Sequence, residues 1–267
     1  MTTRIGPGYM VVDGVRLAIL EAGPLDADTT FVLVHGWGSS SGAWDRLIPE
    51  LAPEHRVLAV DLRGHGGSEV GEEAVTIERI VTDLGVVLEM AGVEQPIVIG
   101  HSLGGTIATA YGLTNRAARG VVVIDPSYGA DESEMAGTSA RLEDYRRHGG
   151  LTPARGIAGG FAARANPSLL LSAQHALLCA QPRALSELFE SNYLAPGAVG
   201  AEPGTRAWLG QRTVPTLALF PSEYRARVDL AAGGASVEVW EGAGHFLHQE
   251  QPERFAALVR AWAPNLH

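Results

Sequence analysis

Ser102 sits in Gly100-His101-Ser102-Leu103-Gly104, directly after the apolar run Pro96-Ile97-Val98-Ile99. A serine hydroxyl becomes a useful nucleophile only when it is exposed, relieved of its proton and faced by donors for the oxyanion it creates. A tight strand-to-helix turn meets the first need. It forces strained backbone angles at the serine and brings neighbouring main chain close, so Gly100 and Gly104 are expected for want of a Cβ. The helix expected from Leu103 to about Asn115 points its N-terminus at the reacting atom, where free N–H groups favour negative charge. The bland reading, a glycine-rich turn with an incidental serine, fits poorly with a buried strand before it and small residues (Gly105, Thr106, Ala108, Ala110) after it.

Such a turn needs a sheet to stand on. Tyr9–Val12 and Val15–Glu21 flank Asp13-Gly14, a two-residue hairpin signal. Short apolar runs then recur at Phe31–Val34, Arg56–Val60, Ile97–Ile99 and Gly120–Ile124. Between them lie helical patterns at about Ser41–Leu51 and at Thr76–Ala91, with Thr76 as N-cap. Continuous apolar strands alternating with helices describe an α/β protein whose parallel sheet is buried on both faces. From Tyr128 to Arg212 the alternation stops. Helical pieces are expected there at Ser139–His148, Pro153–Arg164, Pro167–Cys179, Pro182–Tyr193 and Pro203–Gln211, four of them opened by or close behind a proline. The alternation returns with Val214–Phe220, Ser236–Trp240 and a last helix at Pro252–Trp262. A helical insertion between core strands is most simply a lid over a site. The expected division is a core of residues 1–127 and 213–267 and a cap of residues 128–212.

Composition bounds the partners. A net charge of −10 argues against nucleic acid and anionic membranes. All 20 basic residues are arginine, and the single Cys179 excludes an internal disulfide framework and a cysteine-based metal cluster. At 267 residues and 46% hydrophobic, the chain can bury one large core. No apolar run reads as a signal peptide or a bilayer span, so a cytoplasmic location is the expectation.

On these motifs the chain resembles the α/β-hydrolase fold superfamily. His35-Gly36-Trp37 looks like its oxyanion loop, Asp61-Leu62-Arg63-Gly64-His65-Gly66-Gly67-Ser68 the turn after the next strand, and Gly242-Ala243-Gly244-His245-Phe246 its histidine loop. The resemblance implies a mostly parallel eight-stranded sheet with helices on both faces and an inserted helical cap. It implies His245 as general base and the backbone amides of Trp37 and Leu103 as oxyanion donors. The Trp37 indole is open to either pocket lining or packing. His248, one helical turn beyond His245, reads as a neighbour or substrate contact, and His35 and His101 as packing and hydrogen-bonding residues.

The triad acid has two candidates. The superfamily's commoner acid follows the strand after the insertion, where this chain has Pro221-Ser222-Glu223-Tyr224-Arg225 and no aspartate, with Glu223 one residue early. A minority branch draws it from the strand after the nucleophile helix, where this chain has Asp125, 23 residues beyond Ser102 (125 − 102). Asp125 is preferred. In hydrolases that use the later acid, an aspartate in this Ile-Asp-Pro setting merely caps a turn.

The activity implied is hydrolysis of a carboxylic ester or lactone, with thioesters admitted, through an acyl-enzyme on Ser102. No metal or cofactor is implied. Dehalogenases and epoxide hydrolases of the superfamily require aspartate at the nucleophile. Among branches with the early acid, the chain is similar to lactone hydrolases acting on resorcylic macrolides and to cofactor-free dioxygenases, though Leu103 stands where the latter carry histidine. A cofactor-independent dioxygenase or a carbon–carbon bond hydrolase on the same fold is the alternative, and a non-catalytic small-molecule receptor the remaining one. Apolar residues of the insertion (Phe161, Leu169–Leu171, Leu177, Leu178, Leu188, Phe189, Tyr193, Trp208 and Leu209) would line a pocket for a moderately apolar substrate; a homodimer is left open.

Overall fold

The computed structural model describes residues 4–114, 118–163 and 165–263; Asn115 and Arg164, expected as helix ends, and residues 1–3 of the expected core lie outside them, as do 116, 117 and 264–267. Eight strands form one sheet in the order β1-β2-β4-β3-β5-β6-β7-β8. They are β1 (Arg4–Val12), β2 (Val15–Gly23), β3 (Thr30–Val34), β4 (Arg56–Val60), β5 (Ile97–His101), β6 (Gly120–Ile124), β7 (Thr216–Phe220) and β8 (Ala235–Val239). Only β2 runs against the rest, pairing antiparallel with β1 and β4. The first hairpin is longer than expected. Pro7 fits within β1 because β1 is an edge strand, where a missing N–H costs no ladder bond.

The central strands carry apolar residues toward both faces because both faces are covered. In β3, Val32 and Val34 pack into one core with the helices Ile77–Met90 and Leu103–Leu113, whereas Phe31 and Leu33 face a second core built on Trp44, Leu51, Phe255 and Val259. In β6, Val121 and Val123 join the first and Val122 and Ile124 the second. Thr76 caps its helix by accepting from the Arg79 amide at 3.1 Å.

Three expectations change. The helix at Ser41–Leu51 is two pieces, a 3₁₀ turn at Ser41–Trp44 and a short helix at Ile48–Leu51, because Pro49 sits in a first turn and starts a helix afresh. The segment after β7 is no loop: Ser222 accepts from the Arg225 amide at 3.3 Å and caps a helix at Glu223–Ala232. The piece expected from Pro153 begins at Leu151 and tightens to a 3₁₀ turn at Ile157–Gly160.

Between β6 and β7 the helices Thr138–His148, Pro167–Cys179 and Pro182–Tyr193 sit over the C-terminal edge of the sheet, and Glu202–Leu209 packs on Tyr128 and Val228. Pro182–Tyr193 is hydrogen-bonded to the core. The Trp37 indole N–H donates to Leu185 O at 2.8 Å, and Asn192 Nδ2 donates to Ser127 O at 2.7 Å.

Candidate active site

The strand order reverses between β3 and β5: β4 follows β3 on one side and β5 on the other. Crevices of open α/β sheets form at such a switch, at the carboxyl ends of the strands. Here those ends carry His35–Gly38 and Ser102.

Ser102 has φ 52° and ψ −118°, a conformation strained for any residue but glycine. The turn is held by its surroundings. The Ser102 amide donates to Ile124 O at 2.9 Å, and its carbonyl accepts from the amides of Gly105 and Ser127. A Cβ on Gly104 would collide with Val34 O, and one on Gly100 with Gly104 O, so both glycines are demanded by backbone approach.

Asp125 directly follows β6, 3% exposed and at φ 40°, a region that Asp tolerates better than most residues. Its Oδ2 lies 2.5 Å from His245 Nδ1. Its Oδ1 accepts from Arg225 Nε at 2.8 Å. Burial pushes the Asp125 carboxyl up, but the charge and hydrogen bond of His245, then those of Arg225, outweigh it and hold the group below the usual carboxylate range. Glu223, the rival, is exposed at the start of its helix. His245 rides on a loop braced from both sides. Its amide donates to Gly160 O at 2.6 Å, and the Gly244 and Ala162 amides both donate to the Glu250 carboxylate at 2.9 Å.

Ser102 Oγ pairs with Ser127 Oγ at 2.9 Å and, among the described residues, makes no hydrogen bond to His245. Ser102, His245, Trp37 and Leu103 all border one cavity of about 200 Å3. Neither the Trp37 nor the Leu103 amide donates to another protein group among the described residues, while their neighbours are fixed: Gly38 N–H donates to His65 Nε2 at 3.1 Å and Ser39 N–H to Gly36 O. His35 and His65 are neutral staples. In each, Nε2 accepts a backbone N–H (Leu62, Gly38), so Nδ1–H donates to a carbonyl (Gly36, Arg63). Burial lowers both, His65 to about 3.

The remaining expectations divide. His101 donates Nε2–H to His245 O at 3.0 Å and packs against that ring at 4.5 Å, as a hydrogen-bonding neighbour should. His248 is no substrate contact. It is fully buried between Trp44 and His101, and burial pushes it to about 3. Trp37 does both jobs, lining the cavity while its indole N–H holds the insertion. Of the apolar insertion residues, Leu177, Leu188, Phe189 and Tyr193 line the cavity. Leu171 and Leu178 face solvent, Phe161 stacks on Phe246, and Trp208 and Leu209 pack with Tyr128 and Val228. Sequence reasoning missed Ser127, Asn192 and Arg225; only the adjacency of Ser127 to Asp125 was a signal.

Among the described residues no three His, Cys, Asp or Glu side chains gather as metal ligands, and no helix is long and apolar enough to cross a membrane.

A family model described as "Alpha/beta hydrolase family" matches residues 31–258. A pimeloyl-[acyl-carrier protein] methyl ester esterase of Photobacterium profundum is 30% identical over 251 residues, 86% of this chain and 92% of that protein. A soluble epoxide hydrolase of a Corynebacterium species is 34% identical over 116 residues, but this match spans only 43% of the chain and 40% of that protein. Among solved structures, the enol-lactonase from Burkholderia xenovorans superposes with a TM-score of 0.83 at 20% identity, over 97% of this chain and 100% of that one. Matched from its third strand into its last helix, the chain is an enzyme of the alpha/beta hydrolase family.

Proposed function

We propose that this enzyme is a serine hydrolase cleaving a carboxylic ester or lactone through an acyl-enzyme on Ser102, with His245 as general base and Asp125 as its acid partner. The observation that carries the reading is the 2.5 Å contact of His245 Nδ1 with a buried carboxylate, beside a serine held in a strained turn. Asp125 holds the imidazole with Nδ1 protonated, so Nε2 is left as a base. For attack, Ser102 Oγ exchanges its Ser127 partner for His245 Nε2 and gives that nitrogen its proton as the Oγ–acyl bond forms. The Trp37 and Leu103 amides receive the oxyanion. The tetrahedral intermediate collapses with breakage of the bond to the leaving oxygen, which takes the proton from the imidazolium. Water then repeats the sequence, His245 accepting its proton, and the carboxylic acid leaves with Ser102 restored.

The ester esterase relative and the likeness to an enol-lactonase support the ester and lactone class. The cavity, bordered by Leu177, Leu188 and Phe189, suits a compact, mostly apolar group. Residues 128–212 act as a cap on a core of 1–127 and 213–267. A fluorophosphonate probe tests the mechanism. Labelling on the Ser102 peptide, absent in Ser102→Ala, with turnover in a panel of esters and lactones is the expected result. Folded protein that takes no label overturns it. Labelling without turnover across the panel turns the reading to carbon–carbon hydrolysis or a receptor.

A further inference from the structure

The Glu223–Ala232 helix begins where the superfamily's commoner acid was expected, and what it delivers to the site is a cation. Ser222 caps the helix and Arg225 occupies its third position. The guanidinium makes three contacts. Nε donates to Asp125 Oδ1 at 2.8 Å, Nη2 to Pro126 O at 3.3 Å and Nη1 to Glu134 Oε1 at 3.2 Å. Glu134 lies in the first turn of the insertion, where it closes a capping box with Asp131.

We propose that Arg225 is a positioning residue for the Asp125–His245 pair, setting the pH at which the pair takes up a proton and tying it to the insertion through Glu134. The inference rests on the reading of Ser102, His245 and Asp125 as a triad. A carboxylate on a single bond can turn about its Cβ–Cγ axis. With Oδ1 held by the guanidinium, Oδ2 is left facing Nδ1, so the imidazole is aimed by both ends of one group. The same cation opposes the imidazolium that forms during catalysis. Its removal should therefore favour the protonated pair.

The other groups around the pair do not carry this effect. His101, stacked on His245, and His248 behind it are buried, and burial lowers both. Burial raises the Tyr193 phenol, which faces Arg225 from the insertion. Asp131 and Arg227 bear on Glu134 rather than on Asp125. Glu250 faces the His245 loop, but its carboxylate is taken up by the Gly244 and Ala162 amides; among the described residues Arg225 is the cation that touches Asp125 directly, and Glu134 is its counter-charge.

The test compares wild type with Arg225→Gln, Arg225→Lys and Glu134→Gln, each checked for fold by circular dichroism. Two readouts are used: the pH dependence of fluorophosphonate labelling, and NMR titration of the His245 ring, assigned with His245→Gln. Arg225→Gln should raise the acid midpoint by about one pH unit, the effect of one partly screened charge a side chain's length away. Arg225→Lys keeps the charge and should leave the midpoint within about 0.3 unit while slowing labelling, since a point charge cannot hold Oδ1 as a planar fork does. Glu134→Gln unmasks the cation and should move the midpoint the other way. A midpoint unmoved in Arg225→Gln, or shifted downward, overturns the proposal. If Arg225→Gln does not fold, unmoved or upward-shifted Glu134→Gln does so instead. Wild type that takes no label overturns the triad reading itself, and the NMR midpoints still decide the role of Arg225.

Discussion

Replacing Asp125 by Asn separates charge and tautomer control from shape. Asn is close to Asp in size and tolerates positive φ, so the 40° backbone at position 125 and the fold should persist. What changes is the direction of two hydrogen bonds. Arg225 Nε can only donate, so it claims the oxygen of the new side-chain amide at the place of Oδ1. The amide NH2 is thereby turned to His245 Nδ1, which must become an acceptor. The ring proton moves to Nε2, and the nitrogen facing Ser102 can no longer take a proton. A buried charge that offsets the forming imidazolium is lost at the same time. A cost of about 10³–10⁴ in kcat is expected, or about 4–5.5 kcal/mol of transition-state stabilisation. Glu223→Gln, at an exposed helix start, should change kcat by less than about twofold. The assay is steady-state hydrolysis of a chromogenic ester, with thermal melts to show both variants folded. Asp125→Asn retaining more than about a tenth of kcat, or a matching loss in Glu223→Gln, would refute the assignment.

Further outcomes follow from strain, burial and the resting contact of the serine. Ser102→Gly should be more stable than Ser102→Ala by about 1 kcal/mol in urea unfolding, since only glycine is at ease at φ 52° and ψ −118°; equal stabilities would remove the argument for strain. Ser127→Ala breaks the 2.9 Å contact that holds Ser102 Oγ in its resting position, and should raise the fluorophosphonate labelling rate a few-fold, about 1 kcal/mol; a slower reaction would mean that Ser127 assists attack. Burial holds His65 and His248 neutral down to about pH 3, whereas unfolded histidine takes its proton near 6.5. The unfolded chain therefore binds more protons below 6.5, and stability present above that pH is lost on acidification. Between pH 7.5 and 5.5 each histidine should cost about 1.4 kcal/mol, so urea unfolding should show a loss of about 2.7 kcal/mol from the two; a flat profile would contradict their burial as neutral rings.

How much of this molecule could be read from its residues depends on how local the cause was. Arg56–Val60, Gly120–Ile124 and Pro252–Trp262 have the expected ends because unbroken apolar runs and a first-turn proline are local signals. The helix at Glu223–Ala232 was hidden for a local reason too. Its buried residues Ala226, Val228 and Asp229 form no apolar stripe at helical spacing, and Pro221-Ser222 reads as a turn. The apolar faces of the insertion show the limit of periodicity. Leu177 and Leu178 are neighbours in one helix, yet one borders the cavity and the other is 56% exposed; spacing places residues on faces without saying what each face meets.

The acid shows where counting stops and packing begins. A span of 23 residues from Ser102 was enough to bring Asp125 to the right edge of the sheet, since a helix, a turn and a five-residue strand fill it. No count could supply the partner on its other oxygen, because Arg225 lies 100 residues away and arrives through a helix that was not foreseen. Yet the two facts depend on each other. A buried carboxylate beside a single imidazole keeps one oxygen without a partner, and that is costly in a dry site. With the proposed acid just after β6, the segment after β7 need provide no acid and is free to provide the cation instead. The absence of an aspartate at Pro221–Arg225 and the presence of Arg225 there are then one arrangement, and it is this arrangement, more than the spacing from Ser102, that favours Asp125 over Glu223.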